Sequence, residues 1–121
     1  LNNPALHSIS LVDNVTLTRW KSLTLHHTPE TWLELRDFFL KHSAQLLQEM
    51  YFAFTLNDVA ELEKLAHQLK GTAASFGASQ LAKLSELVQE QCECQQHDKM
   101  LKLLQALTAC YEYTRVEIMG Y

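Results

Sequence analysis

The sequence predicts an all-α fold: an up-down antiparallel four-helix bundle with an N-terminal helical extension. Three observations carry that expectation. The chain has only three glycines and two prolines among 121 residues, few breakers for so long a chain. Apolar residues recur at three- and four-residue spacing through four long stretches, the period of a helix with one buried face. The breaks between those stretches are short and polar, so consecutive helices become antiparallel neighbours.

The first dozen residues are weakly patterned and read as a loose arm. Asp13 can cap a short helix over NVTLTRWKSL, with Val15, Leu17 and Trp20 as its apolar contacts. TLHHTPE then breaks the chain. Thr28 and Pro29 open the first long helix, a capping hydroxyl followed by a proline where its missing N–H does no harm. Over roughly 29–54, Trp32, Leu35, Phe39, His42, Leu46, Met50 and Ala53 form one apolar face. Phe38, Leu47, Tyr51, Phe52 and Phe54 add a second, so neighbours are expected on two sides.

Asn57 is the expected cap of a helix over roughly 58–75, whose stripe is Val59, Leu62, Ala66, Leu69, Ala73 and Phe76. Gly77 fits the left-handed position just past its end. Ser79 is the expected cap of a helix over roughly 80–95 that turns Leu81, Leu84, Leu87 and Val88 inward. After the polar QQHDK, the last helix runs over roughly 98–118 and buries Leu101, Leu104, Leu107, Cys110 and Tyr111. Residues 1–27 are thus an arm and short helix, and 28–121 the bundle, within a single domain.

Composition narrows the function. With 47% hydrophobic and 20% charged residues, the chain can bury a core and stay soluble. A net charge of −4 speaks against a broad basic face, so no nucleic-acid partner is expected. No apolar run reaches the roughly 18 residues of a membrane span, so this domain is not expected to contact a membrane directly. LNNPALHSISL lacks a basic n-region and an initiator Met, so it does not read as a signal peptide; the chain reads as a piece of something longer.

Cys92, Cys94 and Cys110 are odd in number and follow no framework, which points to a reducing, cytoplasmic setting. Cys92, Cys94 and His97 form a C-x-C-x-x-H cluster. Residues two apart on a helix point in different directions, and no second ligand pair exists, so no metal site is expected. His7 falls in the arm and His26 and His27 in a loop, without partners at telling spacing. His42 lies on the core stripe and reads as a hydrogen-bonded core histidine.

The remaining histidine is different. At about 100° per residue, Val59, Leu65, Ala66, Leu69, Ala73 and Phe76 fall within about 60° of Leu62, and His67 about 140° away. His67 should therefore face outward. Around it lie Glu63, Lys64, Lys70 and Gly71 one turn away, with Ala60 and Ala74 two turns away on the same side. A glycine inside a helix costs roughly 1 kcal/mol relative to alanine, so Gly71 calls for a compensating use.

Small neighbours let another surface approach the imidazole. Lysines in reach can neutralise an anion gathered there, such as a phosphoryl group carried on the ring. Across the hairpin, Gln89 and His67 both stand about 15–18 Å from the turn, so Gln89 can bond the ring or its phosphate. An exposed histidine beside surface lysines is also what an ordinary helix flank looks like, and for Lys64 that plainer reading is preferred.

AHQLKGTAASFGASQLAKLSELVQ, residues 66–89, resembles the signature of histidine phosphotransfer (HPt) modules of multistep two-component phosphorelays. That pattern, His-x-x-Lys-Gly, a small-residue stretch to Gly-Ala and a leucine-rich helix, is met by His67, Lys70, Gly71, Ala73, Gly77, Ala78, Leu81 and Leu84. The resemblance implies that His67 is the phosphoacceptor, that Lys70 lies near the phosphoryl group and that Gly71 leaves space for a receiver domain. Gln89 matches a position where some members place a glutamine and others do not. The stretch with His26 and His27 matches no motif of the family.

The resemblance further implies that His67 takes a phosphoryl group from a receiver aspartate and passes it to another. The docking face would be the outer side of the helices over 58–75 and 80–95, around Ala60, Lys64, Gly71 and Ala74. There is neither a G-x-x-x-x-G-K-[ST] loop nor a strand-borne G-x-G-x-x-G, so the domain is expected to be a carrier without an ATP site rather than an enzyme. No cofactor is expected here; the Mg²⁺ for transfer would sit on the receiver. The expected parent is a hybrid sensor histidine kinase, cytoplasmic in this part and anchored in the inner membrane elsewhere; a free-standing phosphotransfer protein and the N-terminal module of a chemotaxis-type kinase are the alternatives. The competing class is a helical docking or dimerisation module without covalent chemistry, with the aromatic side of MYFAF as its contact surface.

Overall fold

The computed structural model describes residues 9–26, 28–94 and 97–121. Five helices lie among them: α1 Asn14–Leu25, α2 Pro29–Thr55, α3 Val59–Phe76, α4 Ser79–Cys94 and α5 His97–Met119. α2 to α5 form the bundle, each packed on the next, and α5 returns to α2 to close the ring. α1 lies outside it, across α2 and the end of α3. Among the described residues, no helix is long and apolar enough to cross a membrane.

The caps show why the helices start and stop where they do. Asp13 accepts from the N–H groups of Val15 and Thr16, satisfying orphan donors of α1, and the Thr16 hydroxyl holds its carboxyl below the usual range. At α2, Thr28 is the N-cap and Pro29 follows, but the Thr28 hydroxyl pairs with the Thr31 hydroxyl at 3.0 Å instead of a backbone N–H. At α3 the cap is Asp58, not Asn57: its carboxylate accepts from Glu61 N at 3.1 Å. Asn57 instead turns the chain with a left-handed φ of 56°. Ser79 is the first residue of α4 and not its cap.

α3 ends at Gly77 with φ +99°, as the sequence requires. The N–H groups of Gly77 and Ala78 both return to Ala73 O, at 3.0 and 2.8 Å, and Gly77 N also reaches Ala74 O at 3.3 Å, closing two of the last carbonyls of the helix. That turn is covered by α1. Asp13 N donates to Gly77 O at 2.7 Å, and Gln80 Nε2 to Ile9 O at 2.7 Å. Along α1, Lys21 bonds the backbone oxygen of Tyr121, and the Tyr121 hydroxyl donates to Asn14 Oδ1 at 2.6 Å, so Tyr121 lies along that helix from Asn14 to Lys21.

The core is a continuous cluster drawn from all five helices, with Leu17, Met50, Leu69, Leu81, Leu104 and Leu107 fully buried. Phe76 anchors one end between Phe39, with ring centroids 4.2 Å apart, and Trp32 at 6.0 Å. The Tyr111 hydroxyl donates to Leu40 O at 2.7 Å, giving the α5–α2 contact a polar tie inside the apolar layer.

Several core expectations are corrected. Val15, Phe38 and Phe52 are about two-thirds exposed, so neither the first contact named for α1 nor the whole second apolar side of α2 is covered. His42 is half-buried and stacks on Phe38 at 5.7 Å; it lies at the edge of the α2 stripe, not in the interior. Leu101 is 42% exposed, while Met100 and Leu103 are buried instead. The buried residues of α5 centre on Leu107, Tyr111 and Ile118, and Leu101 falls about 110° from the middle of that face. Cys92 is buried and Cys94 exposed, as their two-residue offset demands. His7, His27 and the His97 side chain lie outside the described residues.

Candidate functional site

The buried stripe of α3 is Leu62, Leu65, Ala66, Leu69, Ala73 and Phe76. Because those residues fix the helix's rotation, His67 is turned outward and exposed. α4 is fixed in the same way by Leu81, Leu84, Ser85, Val88 and Cys92. Glu86 and Gln89 therefore stand half-buried on the flank beside that stripe.

The two helices meet in an antiparallel register centred on Ala78. His67 and Gln89 are each eleven residues from it, and Lys70 and Glu86 each eight. Both pairs are in contact. Gln89 Nε2 lies 3.2 Å from His67 Nδ1, and Lys70 Nζ lies 3.9 Å from Glu86 Oε1. Glu86 also holds Lys83, Nζ to Oε2, at 3.3 Å.

With Gln89 at Nδ1, the opposite ring nitrogen, Nε2, lies on the far side of an exposed imidazole. A glutamine suits either tautomer. Its amide nitrogen donates to a bare Nδ1, and its carbonyl oxygen, after a half-turn of the amide, accepts from Nδ1–H. The second arrangement leaves an electron pair on Nε2, pointed outward.

The surface around the ring is low. Gly71, Ala60 and Ala74 are exposed. Among the described residues, a Cβ on Gly71 would meet nothing within 4 Å, so no packing there requires glycine. Lys64, one turn before His67, is exposed and makes no ion pair among the described residues. Lys70 is half-buried. The structure thus gathers His67, Lys70, Gly71 and Gln89 on one flank, with Ala60, Lys64 and Ala74 around them. It adds Glu86 and Lys83, which the sequence reading missed. The register that singles out Gln89 for His67 also singles out Glu86 for Lys70, so the signal was present.

Among the described residues, no cluster of three or more His, Cys, Asp or Glu could hold a metal ion. The flank offers one nucleophilic ring, a polar group steadying it, an ammonium one turn away and an open approach. That is a set for holding an anionic group on a ring nitrogen.

The family model of the Hpt domain matches residues 34–117. Among solved structures, the fold is similar to histidine-containing phosphotransfer protein B from Pseudomonas aeruginosa. The TM-score is 0.82 and the identity 19%, over 93% of this chain and 95% of that one. It is also similar to a rice protein described as a histidine-containing phosphotransfer protein. There the TM-score is 0.80 and the identity 21%, over 95% of this chain and 86% of the other. No curated protein matches.

Proposed function

This chain belongs to the Hpt domain family, the histidine phosphotransfer modules of phosphorelays, and on that premise we propose that His67 carries the phosphoryl group between two receiver domains. The observation behind this reading is the outward ring of His67, with Nδ1 engaged by Gln89 and open space over Gly71 one turn away. Lys70 would face the phosphoryl oxygens, and Gly71, Ala60, Lys64 and Ala74 would meet the receiver.

The transfer balances as follows. The electron pair on Nε2 attacks the phosphorus of a receiver aspartyl phosphate, in line with the bond to the carboxylate. The N–P bond forms, the P–O bond breaks and the aspartate leaves as a carboxylate with that electron pair. The ring, with its proton on Nδ1, becomes cationic, and Gln89 Oε1 accepts from Nδ1–H. Reversal onto a second aspartate returns the electron pair to Nε2. Such a step needs positioning and charge neutralisation more than covalent help from side chains.

The chain acts here as a carrier and not as a kinase. The Mg²⁺ that transfer calls for belongs to the acidic residues of the receiver. A hybrid histidine kinase as parent and a cytoplasmic setting complete the proposal. It is tested by mixing the chain with receiver domains labelled on aspartate, beside a His67→Gln variant. Label on the wild type alone supports it. Label on both, or on neither across a panel of receivers, favours a docking module without covalent chemistry.

A further inference from the structure

We propose that Glu86 is a counter-charge for Lys70 and sets how strongly His67 retains a phosphoryl group. This rests on the carrier reading of His67. The geometry is specific to one carboxylate. Its two oxygens are divided between two lysines: Oε2 takes Lys83 at 3.3 Å, within hydrogen-bond distance, and Oε1 takes Lys70 at 3.9 Å, beyond it. Lys70 is the loosely held partner.

Glu86 lies one turn from Gln89 on α4, and Lys70 one turn from His67 on α3. The carboxylate and the ring thus compete for the same ammonium. With the ring empty, Lys70 is shared with Glu86. A phosphoryl group on Nε2 brings close to two negative charges, which outbid one carboxylate already served by Lys83. Lys70 then turns to the phosphoryl oxygens, and Glu86 stays neutralised by Lys83. Glu86 does not touch the reacting atoms. It is a positioning residue that acts through Lys70, with Lys83 deciding how readily Lys70 is released.

Removing the carboxylate frees Lys70 and takes one negative charge from beside the phosphate. Removing Lys83 leaves Glu86 to hold Lys70 alone. The two substitutions should therefore act in opposite directions, which a purely structural role for the ion pairs would not produce. Both sites are half-exposed, and breaking surface pairs of this kind changes stability little.

The test loads the intact chain with potassium phosphoramidate, a small phosphoryl donor that needs no partner protein. Phosphohistidine is followed by phosphate-affinity electrophoresis, for its steady level and its decay. Wild type, E86Q, K83Q and His67→Gln are compared at low and high salt. E86Q should raise the ratio of loading to decay about threefold to tenfold, and K83Q should lower it. Both effects should shrink in 1 M salt, where the screening length falls to about 3 Å. Equal ratios in wild type, E86Q and K83Q, or a lower ratio in E86Q, overturn the counter-charge while leaving the carrier reading in place. Label on His67→Gln equal to wild type, or none on wild type, overturns the carrier reading and this inference with it.

Discussion

Trp20 donates its indole N–H to the backbone carbonyl of Ser75 at 2.9 Å, pinning α1 to the last turn of α3. Ser75 O is among the final carbonyls of that helix, which lack partners of their own. Leu17, fully buried on α1, and Asp13, bonded to Gly77 O, complete the clamp. α1 is therefore structural, holding the α3–α4 turn from which the register of the His67 flank is counted.

Gly77 is the weak point of that clamp. Its φ of +99° is unfavourable for any side chain, and a Cβ there would lie 3.1 Å from Thr16 Cβ and 3.3 Å from Asp13 O. Gly77→Ala should lower stability by about 1–2 kcal/mol from backbone conformation, with Thr16 displaced besides. Urea unfolding checks this. A midpoint unchanged from wild type would show that α1 yields without loss.

Helix existence was legible because burial writes a 3.6-residue period into each segment. The end of α3 was legible too, since Gly77 is among the few glycines. The start was misplaced by one residue because Asn57 and Asp58 are both capping types. Only backbone geometry shows that Asn57 makes the left-handed turn and Asp58 the cap. His42 was misplaced because periodicity locates a stripe but not how much of it the neighbours cover, and Leu101 because a run of three-residue steps back from Leu107 and Leu104 drifts off the buried face. The rotation of His67 followed from the stripe of α3 alone. Its charge network did not, because Glu86 becomes informative only when two helices are read in register.

Alkaline pH should destabilise the fold. Burial, with the Glu63 and Glu93 carboxylates adding to it, pushes the Cys92 thiol from its ordinary 9.0 up to about 11. Burial raises Cys110 and Tyr111 in the same direction. These groups ionise more readily in the unfolded chain. The contribution of Cys92 is complete below pH 9 and is lost as pH rises through about 11. Urea midpoints at pH 8, 9, 10 and 11 should fall across that window, and less steeply for Cys92→Ala. Parallel profiles for the two chains would remove Cys92 from the account.

Gln89 lies 3.2 Å from Nδ1 of the ring that the proposed transfer would use through its other nitrogen. Deleting the amide as Gln89→Ala removes one hydrogen bond of about 0.5–1.5 kcal/mol, so transfer to His67 should slow by about twofold to tenfold. Gln89→Glu keeps an acceptor for Nδ1–H but places a negative charge beside the phosphoryl group. It should therefore lower phosphohistidine retention more than it slows attack. Because Gln89 is only half-buried, folding should barely change. Stopped-flow transfer and phosphohistidine decay separate the two effects. Wild-type behaviour from both variants would leave the 3.2 Å contact without a role.

Gly71 should show stability and function pulling apart. Nothing within 4 Å opposes a Cβ there, and alanine is the better helix former, so Gly71→Ala should stabilise by about 0.5–1 kcal/mol. Gly71→Leu adds bulk that only an incoming surface would meet. It should fold at least as well as wild type yet slow transfer from a receiver by about tenfold or more, since a misplacement of about 1 Å is enough to do so. Phosphoramidate is small and should still load His67 in that variant at the wild-type rate. Loss of both reactions would mean that the leucine disturbs the ring itself, and loss of neither would leave the glycine in mid-helix unexplained by close approach.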